Sequence, residues 1–423
     1  MISKLFENID YLSLIVVALI TYVTYYYYKY FNRINPLPSP FPFPLFGNLP
    51  QLYIWHGGHF KKFLESNHKK YGDLFEFNLN TRTITLGRVD HIEKLLLASS
   101  KNPYIKTISD NDTKGFHELE MMGKGLFFNQ DYKSWRYNRH FFTQAILSPK
   151  FSNEAVHLAN KLFNELESYW DKLYLKEGVT KENRKKINIS PWFNQFTNDM
   201  VIALLTGERS YTMAGCFNEL SDNEKAERPS ALVDETVKFV HALRKHLIEV
   251  MRPMTDPEIR GIISDGIIAG TDSTANTISF IVYYLAHYPD VKKKMLNEID
   301  RIFQDDKTRP ITENDIHNLK YCEAIIKEVS RIFSIVNSLP RCLETPNEIG
   351  GYQWPTETMI RINIDAIHHN EEYWEEPNKF NPDRWMVEGK YEIDLIDKEA
   401  PLKTESGVIT VCAELFVEIK LRN

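Results

Sequence analysis

From Tyr11 to Tyr28 the chain reads YLSLIVVALITYVTYYYY, eighteen residues without a charge, followed at once by Lys29 and Arg33. An uncharged run of that length is the short end of what crosses about 30 Å of hydrocarbon, and cations at its end favour the cytosolic side. The pattern therefore predicts a membrane-spanning helix with the bulk of the chain in the cytosol. A cleaved signal peptide is the other reading, but no small-residue cleavage site follows the run and only Lys4 precedes it. Pro36, Pro38, Pro40, Pro42 and Pro44 come next, forbid helix and predict a stiff extended hinge.

Further along, apolar alternation on both sides of Asn80-Thr81, within 74–87, predicts a β-hairpin. Helical periodicity then dominates, over about 90–99, 131–147, 151–176, 192–207, 231–251, 257–288, 290–304 and 320–335. A second β-rich stretch follows at 341–364, and the polar segment 218–230 reads as a surface loop. The segment 257–288 is apolar on most faces, with Asp256 placed to cap it, Pro257 in its first turn and Pro289 disfavouring helix at Tyr288. Apolar all round means buried inside a large body. A span through lipid is the weaker reading, because Asp265, Asp272 and Asn276 would lie in hydrocarbon.

Composition narrows the function classes. The chain has 423 residues, 43% of them hydrophobic and 26% charged, which excludes a disordered, collagen-like or polytopic membrane protein. A net charge of -6 lacks the basic excess that phosphate backbones require, so nucleic acid is not expected as a partner. The four cysteines, Cys216, Cys322, Cys342 and Cys412, have neither CxxC nor Cys/His spacing, so they predict reduced thiols rather than a zinc site or disulfide frame.

Several constellations could carry chemistry. In Ala269-Gly270-Thr271-Asp272-Ser273-Thr274 the long apolar helix meets a residue without a side chain and then four polar groups. The sequence predicts a break in the ladder there, either facing a cavity where acid and hydroxyls relay protons or forming a polar stripe against a neighbouring helix. Glu328 and Arg331 stand three apart at the edge of the stripe Ile325, Val329, Ile332 and Val336. On an exposed helix such a pair signals nothing, whereas a buried carboxylate needs a charged, hydrogen-bonded partner. Trp135, Arg136 and Arg139 open a helix capped by Asp131 and suit a carboxylate-bearing ligand, with an arginine-over-indole contact as the structural reading. Arg341 in Leu339-Pro340-Arg341 and Arg384 in Phe380-Asn-Pro-Asp-Arg-Trp385 are further anion partners, or solvated arginines.

Taken in order, the proline hinge, Trp-x-x-x-Arg, Ala-Gly-x-Asp-Ser-Thr, Glu-x-x-Arg and Phe-x-Pro-x-Arg-Trp resemble a cytochrome P-450, a haem-thiolate monooxygenase of the eukaryotic microsomal type, over 36–386. The resemblance implies a mainly α fold with small β-sheets in one large body at 50–386, behind an anchor at 1–35 and a hinge at 36–49, with a divergent tail at 387–423. It implies a haem cofactor, a lipophilic small-molecule substrate, electrons from an NADPH-dependent flavoprotein reductase, and an endoplasmic reticulum membrane location. Carried over by residue, Glu328, Arg331 and Arg384 form a structural ion network, and Trp135, Arg139 and Arg341 hold the haem propionates. Ala269 and Gly270 let the helix pass over the porphyrin, while Asp272, Ser273 and Thr274 deliver protons to bound dioxygen.

Two departures from the family stand out. The stretch between Arg139 and Ala269 is short for the helices that roof the substrate pocket. In the tail, Cys412 is the only cysteine after Arg384, yet Glu405, Val408, Thr410 and Glu414 stand where the family's cysteine loop has Phe, Gly, Arg and Gly. The surrounding residues read as a strand or short apolar helix burying a neutral thiol, so the tail as written is not expected to make a stable thiolate-ligated haem site. Its separation from Arg384, 28 residues, is one a divergent ligand loop could accommodate. A haem-free, membrane-tethered truncated product or binding or scaffold protein is the reading from a different class.

Overall fold

Helix α1 (Tyr11–Phe31) ends by docking onto the rest of the chain. In the computed structural model the described residues are 11–79, 81–96, 118, 123–126, 129, 131–175, 188–221, 225–227, 254–304, 306–343, 345–386 and, in the tail, 391–395, 403–406, 410–414 and 417–421. The Tyr27 ring stacks on Phe41 of the hinge at 5.1 Å, the Tyr30 hydroxyl meets Ser39 Oγ at 2.7 Å, and Arg33 pairs with the buried Glu76. Among the described residues no helix is long and apolar enough to cross a membrane. This corrects the expected span: the tyrosine turns meant to complete it are built into the body. Its earlier turns are aliphatic and uncovered, with Ile15, Val17 and Ile20 at least 60% exposed.

The hinge leads to a small sheet. Strands β1 (Leu74–Asn78) and β2 (Arg82–Leu86) form the predicted hairpin, with Glu76 facing Ile84. After the helical region come β3 (Ser338–Cys342), the β4–β5 hairpin (Asn347–Ile349, Tyr352–Trp354) and β6 (Met359–Asn363). Strand β6 pairs parallel to β2 and antiparallel to β3, giving the order β1-β2-β6-β3. Ile84, Leu86, Ile360 and Ile362 alternate to one face and bury a core with Trp354 and Ile92.

The helices are α2 (Phe60–Tyr71), α3 (Val89–Leu96), α4 (Tyr132–Ile146), α5 (Pro149–Trp170), α6 (Ser190–Thr206), α7 (Thr212–Leu220), α8 (Asp256–His287), α9 (Pro289–Phe303), α10 (Glu313–Asn318), α11 (Lys320–Ile332) and α12 (Ile364–His368). The fold is mainly α with small sheets, as the sequence predicted. The expected helix at 231–251 lies outside the described residues. Helices α2, α7, α10 and α12 escaped the sequence reading, being short and, in α2, carrying polar residues at 61–62 and 65–70 around a single Phe63-Leu64 step. Sequence also misplaced the cap of α8: Thr255 takes that role in a reciprocal box with Glu258, because its hydroxyl accepts from Glu258 N while Glu258 Oε2 accepts from Thr255 N at 2.9 Å. Asp256 instead lies in the first turn, where its charge favours the helix N-terminus.

In the tail, β7 (Tyr391–Leu395) pairs with β10 (Val417–Leu421), and β8 (Lys403–Ser406) with β9 (Thr410–Glu414). The backbone of Cys412 lies on β9 opposite Thr404. Its side chain is outside the described residues, and so is the expectation drawn for its thiol.

Candidate active site

Glu328 sits on α11 fully buried, and five hydrogen bonds converge on its carboxylate. Oε1 accepts from Arg331 Nη2 at 2.8 Å, Arg384 Nε at 3.1 Å and the Asn381 amide at 3.0 Å. Oε2 accepts from Arg331 Nε at 3.0 Å and Trp385 Nε1 at 2.9 Å. Burial alone would raise the pKa of this carboxyl, but the hydrogen bonds from Arg331, Asn381 and Trp385 outweigh it and hold the group below its ordinary value. Arg331, itself 2% exposed, passes its remaining donors to the carbonyls of His368 and Pro377, both at 2.7 Å, and lies over the Trp374 ring. The pair predicted from sequence is thus the centre of a network joining α11 to the Pro382–Trp385 turn. Trp385 and the Asn381 amide were not foreseen as its ligands; the aromatic beside Arg384 was the only available signal.

Helix α8 runs from Asp256 to His287 without interruption, so the break expected at 269–274 is not there. Its hydroxyls bond back onto their own helix, Ser273 Oγ to the Ala269 carbonyl and Thr277 Oγ1 to that of Ser273 at 2.8 Å, which satisfies them without opening the ladder. Glycines serve a helix crossing instead. A methyl group built on Gly270 would approach Val201 Cγ2 at 3.1 Å, and one on Gly266 would approach Leu205 Cδ1 at 2.6 Å, so α6 lies close along this side. The same α6 face offers Thr197 Oγ1 to the Thr271 carbonyl at 3.0 Å and Asn194 Nδ2 to Asp272 Oδ1 at 2.7 Å. The packing reading of the motif describes Gly270, which meets α6, while Ala269, Asp272 and Thr274 are exposed.

Helix α4 crosses the first half of α8. Ser134 Oγ reaches Glu258 Oε1 at 3.2 Å, and Phe141 packs with Ile262 and Met254. Trp135 Nε1 donates to the Leu126 carbonyl at 3.1 Å, tying 123–126 to α4, while Arg139 is exposed one turn on. Asp265 Oδ2 accepts from the Leu126 amide at 2.5 Å, a second clamp on that segment which sequence reading had counted only as a cost in lipid. Arg341 stands on β3, half-buried, with Nη1 donating to the Pro340 carbonyl at 2.8 Å. Of the described thiols, burial and Glu298 push Cys322 up to about 12, and burial with Glu219 raises Cys216, so both keep their protons. Cys342 Sγ turns to the Leu343 carbonyl.

A buried Glu-Arg-Arg network on the helix before the sheet strands, facing a long central helix with an exposed Ala-x-x-Asp step, coincides with the match of the "Cytochrome P450" family model over 37–226 and 212–396. The chain belongs to the cytochrome P-450 family. Among similar curated proteins, the steroid 17-alpha-hydroxylase/17,20 lyase of Mesocricetus auratus is 26% identical over 82% of this chain and 76% of its own length. "Cytochrome P450 3A18" of Rattus norvegicus is 25% identical over 86% and 80% of the two chains. The mitochondrial 1,25-dihydroxyvitamin D(3) 24-hydroxylase of Mus musculus is 25% identical over 85% and 76%. The family implies a haem, and the described residues that could face it are on α8 and α4. Ala269 and Asp272 leave an uncovered strip with no bulky side chain at its centre, and the guanidinium of Arg139 is exposed on the helix that crosses α8.

Proposed function

We propose that the chain is a haem-dependent monooxygenase that inserts one oxygen atom from dioxygen into a lipophilic substrate, with electrons from an NADPH-dependent flavoprotein reductase. The observation that carries this reading is α8, continuous and packed on α6 through Gly266 and Gly270, with Ala269, Asp272 and Thr274 exposed on it. Two relatives are named for hydroxylating a steroid and a vitamin D compound, which supports a lipophilic substrate.

Bound haem would supply dioxygen activation at a thiolate-ligated iron. Arg139 and Arg341 are the cations for its two carboxylates, and Trp135 holds the 123–126 segment in place beside them. Ala269 and Gly270 keep the helix thin at the crossing. Asp272 is oriented by Asn194 through one oxygen, which leaves Oδ2 as a proton acceptor and donor on the exposed side. The Ser273 proton rests on the Ala269 carbonyl, and serine lacks the methyl that stiffens threonine, so one rotation about χ1 would turn the hydroxyl outward beside Thr274. The iron thiolate in this reading is Cys412, the cysteine that follows Arg384 in the chain. The reduced, carbon monoxide-treated protein tests the proposal: a red-shifted thiolate-haem Soret band supports it, and haem-free protein overturns it.

Association with the endoplasmic reticulum membrane, body in the cytosol, belongs to the same proposal and is supported by the uncovered aliphatic turns of α1. The expected outcome of cell fractionation at neutral pH and physiological salt is that the chain sediments with the membranes. Release of the intact chain contradicts the attachment.

A further inference from the structure

Between α1 and the hinge lies a cavity of about 300 Å³, at the small end of ligand-sized pockets. It plays no part in the haem chemistry. Tyr22, Tyr26 and Tyr30, spaced four apart on one face of α1, form one wall, and Pro40, Pro42 and Phe77 form the other. Two of these phenols are occupied, because Tyr22 accepts from the Leu45 amide at 3.2 Å and Tyr30 meets Ser39. The Tyr26 hydroxyl is shielded from water and has no hydrogen-bond partner among the described residues. A buried donor left unpaired calls for an explanation, and a ligand acceptor is one.

Charge around the cavity selects the kind of acceptor. Arg33 and Arg82 both pair with the single carboxylate of Glu76, leaving one positive charge uncompensated. Lys29 lies over the Tyr25 ring at 4.9 Å, with no acidic partner among the described residues. The walls are rings and prolines, and the uncovered aliphatic turns of α1 begin one turn away. We propose that this cavity binds an amphiphilic anion: its head accepts from Tyr26 Oη and faces Lys29, its first carbons lie between the tyrosines and the prolines, and its chain runs out along α1. A free long-chain carboxylate and a membrane phospholipid share this chemistry.

Native mass spectrometry of the full chain, released from neutral detergent, tests the site with dodecanoate, uncharged dodecanol and phosphatidylglycerol as probes. Dodecanoate retained at least tenfold more tightly than dodecanol is the expected result. Tyr26→Phe should cost about tenfold, since it removes a hydrogen bond to a charged group, and Lys29→Gln about threefold, since its ammonium is solvent-screened. Neither change should alter dodecanol binding, and Tyr28→Phe, on an exposed position, should alter none. Preference for phosphatidylglycerol over dodecanoate assigns the site to a membrane lipid, the reverse to a free carboxylate. Equal retention of dodecanoate and dodecanol, or full dodecanoate affinity in the Tyr26→Phe protein, overturns the proposal. Because no readout involves haem, its failure is distinct from failure of the monooxygenase reading.

Discussion

Replacing Glu328 by glutamine should unfold much of the protein at neutral pH, with a loss of about 3 to 5 kcal/mol in chemical denaturation, the cost of breaking a buried ion pair. Glutamine keeps the shape but not the charge, and its amide nitrogen would be a donor aimed at donors. Five hydrogen bonds from Arg331, Arg384, Asn381 and Trp385 converge on the carboxylate, and Arg331 would be left as an uncompensated buried cation. The effect has a pH signature. Because the folded carboxyl titrates below its unfolded value, its contribution is complete above about pH 4.3 and disappears as pH falls through the folded value. The gap between wild type and mutant should therefore close in acid. A Glu328→Gln protein as stable as wild type at neutral pH would remove the network from its structural role.

The second large effect is expected at α8. Asp272→Asn and Ser273→Ala should each cut substrate oxidation by about a hundredfold while oxygen is still consumed, since general acid-base groups contribute on the order of 10² to 10⁴. Reduced oxygen then leaves as peroxide or water instead of entering product. Asn194→Ala separates this from packing, because it removes the hydrogen bond to the Asp272 side chain without touching the carboxylate. A proton role predicts mild loss in Asn194→Ala and deep uncoupling in Asp272→Asn. Equal mild losses, with coupling intact, would reduce the motif to a helix contact.

The long periodic elements were legible from sequence. The apolar stretch at 257–288 matches α8 to within a residue at each end, because a buried helix is marked along its whole length. Glu328 was placed at the edge of a stripe and turned out to be fully buried, since the indole of Trp385 and the Asn381 amide arrive from a turn more than fifty residues away that no local pattern encodes. The helix break failed for a related reason. Gly270 and its polar neighbours carry the same signature whether the helix opens or a second helix comes close, and only the Val201 contact tells them apart. At α1, the uncharged run said nothing of the tyrosines' attachment to Phe41 and Ser39, which depends on where the proline hinge turns back.

The iron ligand decides the functional account, because Cys322 and Cys216 keep their protons and the backbone at Cys412 runs in a β-strand whose flanking residues do not match the family's loop. The most direct measurement is the difference spectrum of the purified, dithionite-reduced, carbon monoxide-treated chain beside its Cys412→Ala variant. The monooxygenase account predicts a red-shifted thiolate-haem Soret band in the wild type and its loss in the variant. No such band in the wild type, or a band that survives Cys412→Ala, would contradict it.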